Sequence, residues 1–552
     1  MRAPNAVTRT SDAFDRIHLT TAEFGRIEVH TVPIPEDALD TYATYTYSGK
    51  IFLLYRREED STEEQIFHAA VIDDDGSGYH HIFSGPIPQH PRANGIRAMM
   101  FPDNRRVLLG DYVLECEPDV DSSTQARLVD VYYPWDQEQD PGTTHHWSEI
   151  IVAPDNEHIA WTILRADMGA AAALGRLHRT AAGYEIENPR LISTVDAFLP
   201  DPEHEGCVLP QPLRGGEVKQ FVGGGAAISG VGGVDGLLPD SVVQALDSEA
   251  LTPITRGPSY DETTIFSPDE SLGMLMTARA SRGTDPGVLG LLPRPHVTQT
   301  LSPIAWIVYA YAVTGVRTHR PGNAGPVLID VEKSRCEPAY QGVPLHDPAE
   351  EWVYVSPMSW HPQGDRAAWL ETPRGSSQSR PIREIRVRRA RLLDVTPGEL
   401  VATAPIPAHI PYALSGDAAE QALLNPSASL ASGRIAGRHS GHLEFDRVSA
   451  DLTRGIAGSV TVRYVNFSDD GQSVYEGSES LVSSFVEDTV YEADVTLTGP
   501  VPGSMHLRAT WAPLMAAEPA RLRFDTVADG RPGTFGTARY GDQFRDIADL
   551  VP

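Results

Sequence analysis

The residues best suited to chemistry are carboxylates and arginines that recur at one offset. Arg97, Glu149, Glu262 and Ser356 each stand five or six positions before the proline of a turn, at Pro102, Pro154, Pro268 and Pro362. If the repeat closes on itself, equivalent positions converge, and charged side chains are seldom buried unless paired or functional. Glu149 and Glu262 therefore read as a catalytic pair. Glycoside hydrolysis uses one carboxylic acid with a raised pKa and one carboxylate as nucleophile or base. Asp347, in the segment His346-Asp347-Pro348, is a third candidate carboxylate. Arg97, Arg279 and Arg282 are candidates to hold an acidic group, because a guanidinium matches a planar carboxylate in a bidentate pair. His146 and His346 are further substrate contacts, and Trp352 offers a face for a sugar ring.

Other chemistries find less support. The pair His145-His146 lacks a third ligand at a metal-binding spacing, so no cofactor is expected and a divalent metal is the lesser alternative. His361 sits inside a turn (WHPQG) and reads as structural. No GxSxG elbow, GxxxxGK[ST] loop or strand-linked GxGxxG is present, which argues against a serine hydrolase of the elbow type and against nucleotide chemistry. Two readings stand beside hydrolysis. One is β-elimination from a uronide, with His146 or His346 as base. The other is a propeller that only binds, since a fold dictates no function.

These residues need strands to carry them. Two β-like runs flanking a Pro-Asp or Pro-Gln turn recur at 96–110, 148–164, 263–279 and 356–372, with a copy lacking proline at 41–57. Each is a hairpin signal. The segment 63–85 adds two more strands, giving a four-stranded unit the size of a propeller blade. The Gly-rich stretch 215–233 reads as a divergent blade. The fold expected is all-β: a β-propeller over 25–410, with room for six to eight blades and seven preferred, then a linker over 411–437 with a short helix at 417–424. A β-sandwich-like antiparallel domain over 438–552 completes it. Asp103, Asp155 and Asp269 read as turn scaffold.

Composition sets limits. The 47 glycines and 44 prolines among 552 residues favour turns over long helices. A net charge of -30 excludes general affinity for nucleic acid or anionic membrane. Three scattered cysteines make no disulfide framework, and no apolar leader or 18-residue apolar run is visible, so a cytoplasmic setting is expected. The partner expected is a small-molecule glycoside, with oligomeric state left open.

Five segments carry a resemblance. RVLLGDYVLEC (106–116), SEIIVAPDNEHIAW (148–161), YDETTIFSPDESLGMLMTARAS (260–281), WVYVSPMSWHPQGDRAAW (352–369) and VTVRYVNFSDDGQSVYEGSES (460–480) resemble the fungal saponin hydrolases and their bacterial relatives. The repeats themselves resemble WD40-like, TolB-type propeller repeats. The last segment lies beyond the propeller, so the resemblance runs through both parts of the chain. It implies cleavage of a glucuronide link to a saponin-like aglycone. Fungal members are secreted and richer in cysteine, and residues 283–345 match poorly, so the substrate implied is a related one. Glu149, Glu262 and Asp347 are the acidic positions that also look shared.

Overall fold

The turns define the architecture. After each turn proline, the second following residue takes a left-handed conformation: Asn104, Asn156, Glu270 and Gly364 have φ of 55°, 65°, 59° and 75°. In the first three the aspartate before it caps the turn, as where Asp155 accepts from the amides of Glu157 and His158 at 2.9 Å. This sends the chain back antiparallel. The computed structural model describes all residues except 1–7, 12–15, 62, 89–95, 136–144, 166–168, 195, 234–237, 282, 347–350, 376–383, 425–430, 452–456 and 552, and the side chains of 8–11 and 145–148.

Among the described residues the strands form six successive four-stranded units. Their first strands are Leu39–Tyr45, Ala98–Met100, His145–Val152, Val218–Val222, Asp261–Phe266 and Trp352–Trp360. Each first strand touches the first strand of the next unit, and Trp352–Trp360 touches Leu39–Tyr45 again, so the six close into a ring. This is a β-propeller, with the first strands innermost. Second strands are sandwiched between neighbouring blades and are apolar on both faces: Ile51–Arg56 and Leu272–Thr277 are buried throughout. The stretch 215–233 holds the first two strands of the fourth blade, which is completed by Asp240–Ala245 and Leu251–Pro253. A seventh blade has no counterpart among the described residues. Its length is spent on an insertion, residues 278–326, between the second and third strands of blade five. It carries the helical turns Val297–Thr300, Ile304–Tyr309, Ala310–Thr314 and Gly315–Thr318.

Ring closure joins the two ends of the propeller. The outer strand of blade six is Gly25–Val32, which pairs with Arg386–Leu392 from Ile27↔Leu392 to Val32↔Val387. Arg16–Thr21 and Thr8–Ser11 extend that blade outward. Asp74 of blade one latches the seam, accepting from Arg366 at 2.5 Å and from Arg389 at 2.9 Å.

Beyond the propeller, residues 394–413 cross its turn face. The amide of Val401 donates to the carbonyl of Pro268, and that of Ala404 to Gly224. Helix Gly416–Leu424 then packs Ala419 and Leu423 onto blade three. The last part is one antiparallel sheet of eight strands paired in chain order, from Ser432–Ala436 to Gln543–Asp546. The expectation of two packed sheets is corrected here: the buried face of this single sheet is covered by the insertion. Leu292 and Tyr311 of the insertion share one core with Tyr464, Tyr491 and Met505. Arg294 and Glu479, both fully buried, pair at 3.1 Å across that contact. Tyr464 and Tyr491 donate to Glu479 at 2.7 and 2.6 Å. No described helix is long and apolar enough to cross a membrane.

Candidate functional site

The innermost strands are irregular at one level. Register shifts interrupt their pairing between Leu39 and Tyr42, His146 and Ile150, Val218 and Gln220, Asp261 and Thr263, and Val355 and Met358. A bulge leaves a residue out of the ladder and re-aims its side chain, and bulges are frequent beside active sites. Here the skipped residues include Glu149, Lys219, Glu262 and Ser356, while Tyr42 borders its bulge. Arg97 immediately precedes the first strand of blade two. Five of the six innermost strands are thus bulged at this level, and the remaining one begins just after Arg97.

Those positions meet. Lys219 Nζ lies 2.7 Å from Glu217, 3.2 Å from Glu262 and 3.8 Å from Glu149. Arg97 pairs with Glu149. Tyr260 donates to Glu262 Oε2 at 2.5 Å. Tyr42 and Tyr354 lie in the same electrostatic field, with Arg97 acting on both. Exposure is small: 2% for the side chain of Glu149, 4% for Lys219 and 10% for Glu262. Glu217 is the more open at 25%. The insertion supplies Tyr309 and Arg317 to this cluster.

The electrostatics separate the carboxyls. Burial pushes Glu217 up to about 7, with Glu149 and Glu262 adding to the effect and Lys219 opposing it. Burial would raise Glu262 too, but Lys219 and the Tyr260 hydroxyl outweigh it and hold that carboxyl below its usual range. Burial lowers the Lys219 ammonium, yet the three carboxylates more than compensate and keep it charged. The Tyr260 phenol is driven well above its ordinary value by burial and the adjacent Glu262. One carboxyl is therefore a proton donor near neutral pH, and its neighbour is a lasting anion. Opposed environments of this kind assign acid and base roles.

Of the residues singled out in the sequence, Arg97, Glu149 and Glu262 come together, and Ser356 lies 3.5 Å from the Tyr354 hydroxyl. Arg279 is engaged elsewhere, by a buried ion pair with Asp261 and by donation to the Tyr340 carbonyl at 2.8 Å. His346 is buried, with Nδ1 3.3 Å from the Pro326 carbonyl. Trp352 lies under the Arg386 guanidinium, 4.6 Å from it. Asp347, Arg282 and the His146 side chain lie outside the described residues. Among the described residues no group of three metal-ligating side chains is arranged to hold an ion. Sequence reasoning missed Glu217 and Lys219, although the signal was there. Blade four turns at Gly223–Gly225 without a proline, and Glu217 stands six positions before Gly223.

No family model matches the chain, and no curated protein does. Solved structures similar to it are β-propellers. A putative TolB from Agrobacterium tumefaciens has 12% identity and a TM-score of 0.32, covering 59% of this chain and 84% of that one. An α-L-arabinofuranosidase from Fusarium graminearum has 10% identity and a TM-score of 0.32, covering 66% and 96%. An α-L-arabinanase from Penicillium chrysogenum has 7% identity and a TM-score of 0.32, covering 70% and 99%. Likenesses this distant carry no conclusion about the chemistry of this chain.

Proposed function

We propose that the protein is a glycoside hydrolase acting at the axis of its propeller, with Glu217 as general acid and Glu262 as the ionised partner. The expected substrate is a glucuronide or related glycoside of a small, saponin-like aglycone. The observation that carries the reading is the pair of carboxyls beside one ammonium, one driven up and the other down. Because each lies within hydrogen-bonding range of Lys219 Nζ, their nearest oxygens are at most about 6 Å apart. A bound of this size accommodates the roughly 5–5.5 Å between the carboxyl groups of a retaining enzyme. Glu262 then attacks the anomeric carbon while Glu217 gives its proton to the departing oxygen. In the second half, water attacks the anomeric carbon while Glu217 takes its proton; the bond from Glu262 to the sugar breaks, and the free sugar leaves with Glu262 again a carboxylate. Lys219 and Tyr260 keep Glu262 anionic, and Glu149, held by Arg97, helps keep the Glu217 proton in place.

The test is a panel of aryl and triterpenoid glycosides, including glucuronides, with the sugar product followed by NMR. Saturated sugar of retained configuration is expected, and Glu217→Gln and Glu262→Gln should each abolish most turnover while keeping the fold. An unsaturated uronate would replace hydrolysis by elimination. Full activity in both variants, or no turnover across the panel, would remove the hydrolase reading.

A further inference from the structure

The cations of the site are not equivalent. Arg97 is paired with Glu149, and Lys219 is ringed by three carboxyls. Arg317 forms no ion pair among the described residues. Its Nε donates to the Tyr354 carbonyl at 3.1 Å, and its guanidinium lies 6.0 Å from that ring. It is half-buried, and its charge acts on Glu262, Tyr309 and Tyr354, which places it beside the axial cluster. We propose that Arg317 binds an anionic group of the substrate, a carboxylate, and that the insertion carrying it is the specificity element of the site.

Three observations converge on this assignment. The first is charge. When Glu217 carries its proton, the axial cluster sets Arg97, Lys219 and Arg317 against Glu149 and Glu262, an excess of one positive charge among these groups in a chain whose net charge is -30. A ligand with one negative charge balances it. The second is geometry. With Nε committed to a backbone carbonyl, both terminal nitrogens remain to fork a planar carboxylate.

The third is support. Arg317 follows a π-helical turn, Ala310–Thr314, an irregularity that in helices often marks functional positions. Its segment is fixed from both sides. Asn323 accepts from the Tyr354 amide at 2.9 Å, and Arg374 donates to the carbonyl of Val316 at 2.5 Å. The Arg294–Glu479 pair clamps the rest of the insertion onto the C-terminal sheet. That sheet thereby becomes the rigid backing of a substrate-reading residue, which gives it a part in the site without contributing a catalytic group.

The inference deepens the hydrolase reading, and the experiment separates the two. The full chain is titrated with sodium glucuronate, glucose and sodium sulfate at equal ionic strength, with thermal unfolding as readout. KM and kcat are then measured on an aryl glucuronide and the matching aryl glucoside for the parent, Arg317→Gln and Arg317→Lys. Glucuronate should raise the Tm of the parent, while glucose and sulfate should not, and Arg317→Gln should lose the effect. On the glucuronide, Arg317→Gln should raise KM about 10- to 100-fold with kcat little changed. Arg317→Lys should recover part of that loss, and the glucoside constants should not move. Glucuronate binding that depends on Arg317 without turnover of any glycoside would keep this inference and remove the hydrolase reading. Turnover of the glucoside with no glucuronate effect would do the reverse. A parent that neither binds glucuronate nor prefers the uronide overturns the proposal. So does an equal loss on both substrates, or sulfate matching glucuronate.

Discussion

Two charged clusters are buried in this molecule, and they are built on opposite plans. Around Glu479 every group is matched: one carboxylate receives one guanidinium and two phenol hydroxyls, and Arg294 spends its other nitrogens on the carbonyls of Leu292 and Leu289. On the propeller axis three carboxyls crowd one ammonium, and a guanidinium answers only one of them. Both sites are desolvated, so burial alone does not distinguish them. The difference is balance. A satisfied network holds the insertion against the C-terminal sheet. The axial cluster leaves Glu217 protonated to about pH 7 beside an anion. An unbalanced buried cluster stores reactivity, whereas a balanced one stores rigidity.

The contrast can be broken by experiment. The largest effect is expected for Glu262→Gln, which should lower kcat/KM by about 10³- to 10⁴-fold with little change in unfolding midpoint. A loss of only a few-fold would put the axial cluster in the same class as Glu479. Glu479→Ala leaves the Arg294 charge buried and unanswered, and it should cost about 3–5 kcal/mol in denaturant unfolding. If that variant is as stable as the parent, the seam is not held as described.

Glu217→Gln tests the imbalance directly. The parent's rate should fall as pH rises through about 7, and the variant, slower by about 10²-fold, should lack that limb. Stability carries the same signature. The folded pKa of Glu217 is raised, so its contribution is full below the unfolded value of 4.5 and is lost as pH rises through about 7. Between those limits the parent's Tm should decline more than that of Glu217→Gln. Glu262 works in the opposite sense, with its contribution present above its unfolded pKa and lost as pH falls. The smallest effect is expected outside both clusters. Asp155→Ala removes a turn cap and should cost about 1 kcal/mol, with kcat/KM unchanged.

The legible part of the site was the part with a repeat behind it. Arg97, Glu149 and Glu262 could be read because each precedes a proline turn at nearly the same distance, and a closed ring turns equal distance into proximity. Glu217 obeys the same spacing and Lys219 stands two positions nearer the turn, but blade four replaces proline with three glycines, which meet the φ requirement by another route. Tyr309 and Arg317 arrive on an insertion whose path is set by packing against a sheet more than a hundred residues later in the chain, and no local spacing encodes that. Blade number was misjudged for the same reason, because length gives no sign of whether it becomes another blade or an insertion.

Ring closure by the strand Gly25–Val32 also sets an order of events in synthesis. Its partner strand arrives late: Arg26 and Asp394, which mark the finished seam, are 368 residues apart. At roughly 5–20 residues per second, the early strand waits on the order of 20 to 70 s before its edge is paired. Throughout that interval Arg16–Thr21 covers one edge and the other is open to any β-strand nearby. Slowing translation of the sixth blade would lengthen that exposure, so the yield of folded chain should depend on how quickly residues 386–392 are delivered, more than on any single contact in the finished ring.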